Sequence, residues 1–343
     1  MSSKIINGFS KISKNKWNDF LVNNTFTTAF QTPDFYNFYN LVPNCSAEVF
    51  AVEDNGKLTA LCLVTFQKEE GLLGYFSRRA IIYGGPVLSD AGNKALPELL
   101  SVIRKNLKGK VIYAEIRCLN DYSGFNECFK EVGWAYESYL NYHITYSSDE
   151  KLWADLNGNK KRQIKKAFQS GTVILEAEKI EEVKKYYDIL SDLYKNKIKK
   201  PLITFDFFKL LFEKKIGRYF LVKFKNQIIG GTVCIVLEGE TVYELYACGL
   251  DRGYKDQSPS AMATYAAIEF GLKNGFKKFD FMGAGKPDED YGVRDFKAKF
   301  GGDLIEYGRF VTICNPILFQ VGKAGLNVLK KIKNLRVSFM RVF

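Results

Sequence analysis

An internal repeat constrains this chain more than any other feature of its sequence. Twice along the chain, a hairpin and a further strand are followed by an amphipathic helix, a strand, a short helix and a closing strand. The pair Phe129-Lys130 lies as far after Val111 as Phe296-Lys297 lies after Lys278, which disfavours a chance likeness of two βαβ segments. The sequence therefore predicts two copies of one α/β unit, with a first domain over 1–146 and a second over 147–315.

Local patterns give the elements of each copy. Asp54-Asn55-Gly56 predicts the turn of the first hairpin and Lys225-Asn226-Gln227 that of the second. Ser258-Pro259 and Gly275 supply the start and end of the second long helix. The predicted elements of the first copy are Glu48–Val52, Leu58–Phe66, Ala95–Leu107, Val111–Arg117, Phe125–Val132 and Ala135–Tyr146. Those of the second copy include Tyr219–Phe224, Ile228–Leu237, Thr241–Ala247, Lys278–Met282 and Leu304–Ile313.

Composition limits the chemistry. At 343 residues the chain can form two domains, and its formal charge of +12 favours an anionic partner such as RNA, a phosphorylated substrate or a lipid surface. The seven cysteines contain no CxxC pair, which fits a reducing cytoplasm better than a disulfide framework or a zinc site. His143 is the single histidine, and its aromatic strand is typical of packing. Serine triads and multi-histidine metal sites are therefore strongly disfavoured, and no metal is expected.

The stretch Lys278–Gly302 has the features of an anion-binding site. A short strand over Phe279–Met282 leads into a loop with Gly283 and Gly285, where a ligand can approach the backbone closely. Open α/β sheets usually bind substrates at such strand ends. Three cations follow in a compact helix that paired glycines end: Arg294, Lys297 and Lys299. We therefore expect an anionic substrate here.

A second basic segment, 160–166, reads Lys-Lys-Arg-Gln-Ile-Lys-Lys. On a helix it brings Arg162 to within one turn of Lys166, with Ile164 on the packing side. Two interpretations are equally open: a solvated helix face, or a phosphate-binding face. The segment contains no acidic residue that could pair with these cations, so the phosphate-binding interpretation stays open.

The segment 316–343 is predicted to be a basic amphipathic helix. It could lie on an anionic membrane surface or pack back on the first domain, and Gly322 and Gly325 favour packing because they weaken a free helix. The N-terminal segment Met1–Asn18 lacks an apolar core of signal-peptide length, and Ile228–Leu237 is too short to span a bilayer. These features predict a cytoplasmic protein, with contact at the inner membrane face as an open addition.

Several motifs of the second copy together resemble the Fem family of aminoacyl transferases, which build peptidoglycan interpeptide bridges. They are Tyr246-Ala247-Cys248-Gly249, Ser258-Pro259, Phe279-Asp280-Phe281 and Asp295-Phe296-Lys297 through Phe300-Gly301-Gly302, with Lys161-Arg162 in the opening helix. Over the first copy the resemblance rests on Phe30-Gln31-Thr32-Pro33 and Gly84-Gly85-Pro86. The combination and its order are more specific than any single piece.

This resemblance implies two tandem GNAT-like domains, with mixed sheets flanked by helices and a C-terminal segment that returns to the first domain. It implies transfer of an aminoacyl group from aminoacyl-tRNA to the amine of a muramyl-pentapeptide precursor, with no tightly bound cofactor and no DNA partner. By motif match, Phe296 and Lys297 would lie at the acceptor site and Arg162 near its phosphates. The chain lacks the coiled-coil arm of some members. Its loop Arg252–Pro259 fits the pyrophosphate-binding loop of acyl-CoA enzymes poorly, so acyl-CoA is kept as the alternative donor.

Amide formation needs an unprotonated amine, a stabilised oxyanion and positioning. Because His143 is assigned to packing, the base would be Asp280, Asp288, Asp290 or Asp295, or the substrate would lose its proton to solvent. The catalytic candidates are Lys297 as an electrostatic clamp, Asp295 and Asp280. The substrate-binding candidates are Arg162, Lys166, Gln31, Gly283, Gly285, Tyr291, Arg294 and Phe296, although Phe296 also suits core packing. Two hypotheses are transferases that use aminoacyl-tRNA or acyl-CoA as the donor. The third is a non-catalytic protein that binds RNA or a membrane surface.

Overall fold

The structure is a computed structural model, and it describes residues 4–71, 73–90, 92–199 and 201–322. The chain divides into two compact units. Of the described residues, the first unit comprises 4–40, Asn44–Glu137 and 309–322, and the second comprises Leu41–Pro43 and Ser138–Gly308.

Strands and helices are numbered along the chain. The strands are β1 Lys4–Asn7, β2 Cys45–Asp54, β3 Lys57–Gln67, β4 Arg79–Gly84, β5 Val87–Leu88, β6 Tyr113–Cys118, β7 Ala135–Glu137, β8 Asn141–Thr145, β9 Val173–Glu176, β10 Gly217–Phe224, β11 Gln227–Leu237, β12 Thr241–Gly249, β13 Lys278–Asp280, β14 Asp303–Ile305 and β15 Arg309–Ile313. The helices are α1 Lys14–Leu21, α2 Pro33–Tyr39, α3 Leu73–Ser77, α4 Gly92–Leu107, α5 Asn126–Glu131, α6 Asp149–Asp155, α7 Gly158–Gln169, α8 Ile180–Leu193, α9 Phe205–Glu213, α10 Pro259–Lys273 and α11 Gly292–Ala298. Short 3-10 turns lie at Phe9–Lys11, Ala29–Gln31 and Ser123–Phe125, and a π turn lies at Tyr194–Ile198.

The first unit is built on a mixed sheet in the order β1-β2-β3-β4-β6-β15-β7, with β5 paired to β3. The pair β4 and β6 is parallel, and the other neighbours are antiparallel. The predicted hairpin is present, with Asn55 and Gly56 at positive φ in its turn. Helix α4 covers this sheet with a fully buried apolar stripe that includes Leu96, Leu99 and Ile103.

The second unit is built on a mixed sheet in the order β14-β8-β13-β12-β11-β10-β9, in which β12 and β13 form the parallel pair. Helix α10 packs on β10, β11 and β12. Its small residues, such as Ala263 and Ala267, are fully buried and let the helix lie close to the sheet. The predicted α/β unit therefore occurs twice, and the predicted mixed sheets flanked by helices are confirmed.

The closing strands differ from the sequence prediction. The segment predicted as one strand over Ala135–Tyr146 is divided into β7, which joins the first sheet, and β8, which joins the second. The segment predicted over Leu304–Ile313 is divided in the opposite sense, into β14 of the second sheet and β15 of the first. Gly308, at positive φ, lies at the second break. Each sheet therefore contains a strand that the division at 146 and 315 assigned to the other domain.

The start of the C-terminal segment is helical over 316–322. The Phe319 ring lies 5.7 Å from that of Tyr113 in the first unit. The prediction for 316–343 otherwise falls outside the described residues, from 323 onward. Within the part of the chain that the structure describes, none of the helices combines the length and the apolar character needed to cross a bilayer.

Candidate active site

The parallel strands β12 and β13 diverge to form a fork in the second sheet. Their pairing covers only Thr241–Tyr243 against Lys278–Asp280, while β12 continues to Gly249. Beyond Asp280 the chain turns away through Met282 and Gly283, both at positive φ. Strand β12 also shifts register against β11 near this point, a bulge that bends the strand. The fork leaves backbone carbonyls of the departing chain without a strand partner.

The Lys297 side chain occupies the fork. It extends from α11, and its Nζ donates hydrogen bonds of 2.7 Å to the carbonyl oxygens of Phe281 and Gly283. The residue as a whole is partly exposed, but its ammonium is withdrawn from water, and this burial lowers the pKa of Lys297. Nearby negative charges, first Glu244 and then Asp280, oppose the shift. An ammonium has three N–H donors, and these two hydrogen bonds use two of them.

Glu244 is the buried carboxyl group that faces Lys297 from β12. Burial raises the pKa of Glu244, while the charge of Lys297 and hydrogen bonds from Thr264 and Thr232 lower it. The Thr264 hydroxyl donates a hydrogen bond of 2.8 Å to Glu244 Oε1. Burial therefore favours the neutral forms of Glu244 and Lys297, whereas the attraction between their opposite charges favours the ionised forms. Such a pair can hold an ammonium in place without neutralising it through a direct ion pair.

Asp280 ends β13 in a buried polar network. Its Oδ2 lies 2.9 Å from His143 Nε2, and its Oδ1 accepts from Asn141 Nδ2 and from the Met282 backbone N–H, each at 2.7 Å. Burial opposes its ionisation, but the charge and hydrogen bond of His143, with help from Lys278 and Asn141, hold the pKa of Asp280 below its usual value. Both carboxylate oxygens of this catalytic candidate therefore have hydrogen-bond partners within the protein.

Asn141 links that network to the glycine loop. Its Oδ1 accepts the Gly283 N–H at 2.7 Å. Tyr291 covers Gly285, where a Cβ atom would lie 2.8 Å from the tyrosine ring. Both glycines have positive φ angles, which residues with a side chain rarely adopt. Gly283 and Gly285 therefore allow the loop to fold back on itself.

Arg294 binds the same loop from α11 instead of facing a ligand. Its Nε donates to the Ala284 carbonyl at 2.9 Å, and its other nitrogens contact the carbonyls of Lys286 and Pro287. These contacts use the guanidinium to shape the backbone, so Arg294 supports the site indirectly.

A basic groove of about 690 Å³ lies beside α11. We use the name basic groove for the cavity lined by Asn159, Lys160, Arg162, Gln163, Lys166, Lys255, Ser258, Gly292, Asp295, Phe296 and Lys299. It brings together site residues predicted from two separate motifs, namely Arg162 and Lys166 from one and Asp295 and Phe296 from the other. The groove and the fork share α11, because Phe296 and Lys297 are adjacent.

The cations of the groove are held in different ways. Lys166 forms a 2.8 Å ion pair with Asp256, an acidic partner from a loop that the sequence of the helix alone did not reveal. Arg162 is exposed and contacts the Asn159 side chain. Lys160 is only 4% exposed, and its Nζ lies 3.8 Å from the centroid of the Phe296 ring. Phe296 is thus half-buried and packs on a cation, and is not simply a core residue.

The Gln31 side chain lies in the first unit and is fully buried. Its Oε1 accepts the Leu63 N–H at 2.7 Å, and its Nε2 donates to the Tyr83 carbonyl at 2.7 Å. The side chain of this predicted substrate ligand therefore bonds to the backbone of both β3 and β4.

An acid caps the start of α10, where GNAT-type acyl-CoA enzymes hold pyrophosphate. The Asp251 carboxylate accepts from the Ser260 N–H at 3.0 Å and from its hydroxyl at 2.6 Å. Pro259 at the first turn has no N–H to donate. Two N–H positions of the first turn, those of residues 259 and 260, are therefore unavailable to a diphosphate.

The sequence interpretation missed Glu244, Lys160 and Asn141. A signal existed for two of them. Glu244 is a charged residue within the otherwise apolar strand β12, and Lys160 shares a helical face with the buried Ile164 and Ala167. The role of Asn141 depends on pairing between β8 and β13, which local sequence does not encode.

Residues 155–297 match the family model described as an acetyltransferase (GNAT) domain. No curated protein matches the sequence at a significant level. Among solved structures, the chain is similar to FemX, with a TM-score of 0.70 and 15% identity over 94% of this chain and 99% of that one.

Two further structures carry the same fold. A tandem GNAT protein from the clavulanic acid biosynthesis pathway has a TM-score of 0.56 and 8% identity, over 92% of this chain and 99% of that one. L-PGS from Bacillus licheniformis has a TM-score of 0.52 and 13% identity, over 91% of this chain and 96% of that one. The resemblance drawn from motifs and the predicted tandem fold are confirmed. The chain has the tandem GNAT fold seen in FemX, and the match to the acetyltransferase (GNAT) domain model covers the fork, Lys297 and every residue that lines the basic groove except Lys299.

Proposed function

We propose that the protein is an N-aminoacyl transferase that forms an amide on an anionic cell-envelope precursor, with aminoacyl-tRNA as the donor. The observation that carries this proposal is the ammonium of Lys297, fixed at the fork on two carbonyl groups beside a basic groove. The resemblance to the Fem family supplies the reaction class, and the groove supplies a reason for an anionic acceptor.

In this reaction the acceptor amine attacks the carbonyl carbon of the aminoacyl ester. A C–N bond forms, the C–O bond to the tRNA ribose breaks, and the ribose oxygen leaves with a proton. Negative charge develops on the carbonyl oxygen and then on the leaving oxygen. The third N–H of Lys297 suits either oxygen, because two carbonyls hold the ammonium in a fixed direction before the reaction begins.

The proton of the acceptor amine has two routes. Asp295 is exposed and lines the groove, so it stays the candidate base of the site. Loss of the proton to solvent before attack is the second route. Glu244 acts through Lys297, as the negative charge that favours its ammonium form.

The capped start of α10 favours aminoacyl-tRNA over acyl-CoA. Acyl-CoA would need the N–H groups that Asp251 occupies and that Pro259 lacks. A tRNA donor needs no diphosphate cradle at this helix. Acyl-CoA is kept as the second candidate, because the matching family model describes acetyltransferases.

The decisive experiment offers the purified protein both donors with a pool of cell-envelope precursors, and follows the acceptor by mass spectrometry. We expect the mass increase of one amino acid, which disappears when RNase destroys the tRNA. A mass increase of an acyl group that survives RNase and requires acyl-CoA would replace the proposal with the second candidate.

Calorimetry provides an independent measurement of the donor. We expect binding of charged tRNA and none of CoA to the wild-type protein. The variant D251A frees the Ser260 N–H, so a gain of weak CoA binding there would support the explanation given for the wild type. CoA binding by the wild type, with indifference to tRNA, would contradict it.

A further inference from the structure

Helix α8 ends in a π turn that carries exposed lysines. The turn covers Tyr194–Ile198, and the Lys199 N–H closes it with a hydrogen bond of 2.7 Å to the Tyr194 carbonyl oxygen. Lys199 has a φ angle of 56°, a left-handed conformation that is uncommon for a residue with a side chain. Single π turns within helices are rare and occur frequently at functional sites. We use the name lysine turn for Lys195, Lys197 and Lys199, which are all exposed.

The lysine turn lies beside the fork. Strand β12 pairs with β13 only as far as Tyr243, and Tyr246 lies beyond this pairing. The Tyr194 ring contacts the Tyr246 ring edge to face, with centroids 6.0 Å apart. The Tyr186 hydroxyl of α8 donates a hydrogen bond of 2.8 Å to the Tyr246 carbonyl oxygen. Burial raises the pKa of Tyr194, and Tyr291, which precedes α11, is close enough to add to the shift. The end of α8 is therefore fixed next to the strand and the helix that form the fork.

The charges of the lysine turn are not balanced within the protein. Asp192, the nearest acid in the sequence, accepts a hydrogen bond of 2.5 Å from the Asn196 side chain. Among the described residues, none of the three lysines forms an ion pair. By contrast, Lys184 of α8 and Lys209 of α9 each pair with an acid one helical turn away. Three like charges within five residues repel one another, so their arrangement favours binding of an anionic partner.

The form of the lysine turn suits a nucleic acid strand better than a small anion. Lysine ammonium groups on flexible stems neutralise successive phosphates along a strand, whereas a small anion needs donors that converge on one point. The proposed donor carries its ester at the single-stranded 3′ end of tRNA, and that ester must reach Lys297. The last phosphates of the strand then lie just outside the fork, where the lysine turn is found.

We propose that the lysine turn binds the phosphates of the single-stranded 3′ end of the tRNA donor and so guides the aminoacyl ester toward Lys297. This inference rests on the proposed function, since it names the surface that receives the donor. The surface is separate from the basic groove, whose lining includes none of the three lysines. The contacts are electrostatic and independent of sequence, so they suit a tRNA that carries any amino acid.

Binding of deacylated tRNA to the full-length protein tests the proposal. Fluorescence anisotropy gives the affinity at salt concentrations from about 50 mM to about 300 mM, a range over which phosphate contacts weaken strongly. Each phosphate contact on a single strand contributes about 0.7 to the slope of log affinity against log salt. The triple variant K195Q/K197Q/K199Q should therefore reduce the slope by about 2 and the affinity at low salt by about 10- to 100-fold. Circular dichroism checks that the variant folds.

The matched control is the triple variant K209Q/K273Q/K277Q. It removes the same total charge from lysines that each pair with a glutamate. We expect it to bind tRNA with nearly the affinity and the salt slope of wild type. An equal loss in both triple variants would assign the effect to net charge and would overturn the inference.

A truncated tRNA that lacks its single-stranded 3′ end locates the contact. Wild type should bind it more weakly than intact tRNA, whereas the lysine-turn variant should bind both equally. If the variant binds truncated tRNA as much more weakly than wild type as it does intact tRNA, the lysines contact another part of the RNA and the inference is wrong. Wild-type tRNA binding that is unchanged in the variant would overturn this inference alone. Absence of tRNA binding by wild type would overturn both the inference and the proposed donor.

Discussion

The two units treat their parallel strand pair differently. In the first, β4 and β6 stay in register over six residue pairs, from Arg79 and Tyr113 to Gly84 and Cys118. In the second, β12 and β13 separate after three pairs. The same sheet design is therefore closed in one unit and open in the other, and the Lys297 side chain fills the opening.

The side chains at the two strand ends differ in the same way. Tyr122 is 1% exposed, and its hydroxyl lies 2.6 Å from the Pro86 carbonyl oxygen and 3.1 Å from that of Gly84. Burial raises the pKa of Tyr122, so the group stays neutral. In the second unit, the charged ammonium of Lys297 donates hydrogen bonds to two carbonyl oxygens. The neutral Tyr122 hydroxyl stabilises the fold, whereas an ammonium can also stabilise a transition state.

The repeated Phe-Lys pair has opposite orientations in the two units. Phe129 is fully buried and stacks on Phe310 with centroids 3.8 Å apart, while Lys130 is exposed beside Glu127. Phe296 is half-buried under Lys160, and the Lys297 ammonium turns inward. Equal spacing therefore does not mean equal function.

The largest effect should come from removing the inward lysine. K297M deletes the ammonium at the fork, and we expect transfer to fall about 10²- to 10³-fold, as for loss of an oxyanion donor. The matched variant K130M changes the same repeat position in the first unit and should keep full activity. Circular dichroism checks that both variants fold. Equal rates for K297M and wild type would remove Lys297 from the mechanism.

The second effect concerns the stability of the open unit. D280N leaves His143 without its charged partner, and we expect a loss of about 3 kcal/mol in the free energy of unfolding. The pKa of Asp280 is lowered in the folded state, so its contribution is present at neutral pH and is lost as pH falls through that pKa. Urea unfolding from pH 7 down to pH 3 measures both. The exposed D288N variant is the control, and an acid dependence in D280N equal to that of wild type would contradict the assignment.

A smaller effect should follow from E244Q. Removing the negative charge lowers the pKa of Lys297 further, because Glu244 supports its ammonium form. We expect about a tenfold loss of transfer at pH 8 and a fall in rate that begins at lower pH than in wild type. The pH profile of the rate is the measurement. Since burial raises the pKa of Glu244, its carboxylate costs stability above that pKa, and E244Q should unfold no more easily at neutral pH.

The smallest effect should come from Y122F in the closed unit. The variant removes the single O–H that the two buried carbonyl oxygens share and should cost about 1 kcal/mol of stability, with no change in transfer. Thermal unfolding and the transfer assay together test this. A drop in the transfer rate without loss of stability would mean that the closed strand pair contributes to the reaction after all.

Much of the fold was predictable because its signals are local. The hairpin turn at Asn55-Gly56, the Ser258-Pro259 helix start and the repeated Phe-Lys spacing each depend on neighbouring residues. The basic groove was partly predictable too, since Arg162 and Phe296 belong to recognisable motifs. Its walls were not, because they join α7, α11 and the loop before α10.

The structural roles of Asp280 and Gln31 could not be read from the sequence. Asp280 meets His143 across 137 residues, and Gln31 meets Tyr83 across 52. A polar residue beside an apolar strand has the same pattern whether it binds a ligand or satisfies the backbone. Only the tertiary pairing distinguishes these cases: Gln31 bonds to the backbone of β3 and β4, whereas Asp280 bonds to the side chains of His143 and Asn141 and to one backbone N–H.

The placement of β15 has a consequence for the synthesis of the protein. The first sheet needs Arg309–Ile313 between β6 and β7, and Phe310 from that strand covers Phe129. Until the ribosome has made these residues, the nascent first unit exposes an aromatic surface and two unpaired strand edges. Folding of the first unit therefore finishes only after Ile313 has been translated, when all strands of the second unit have already been made.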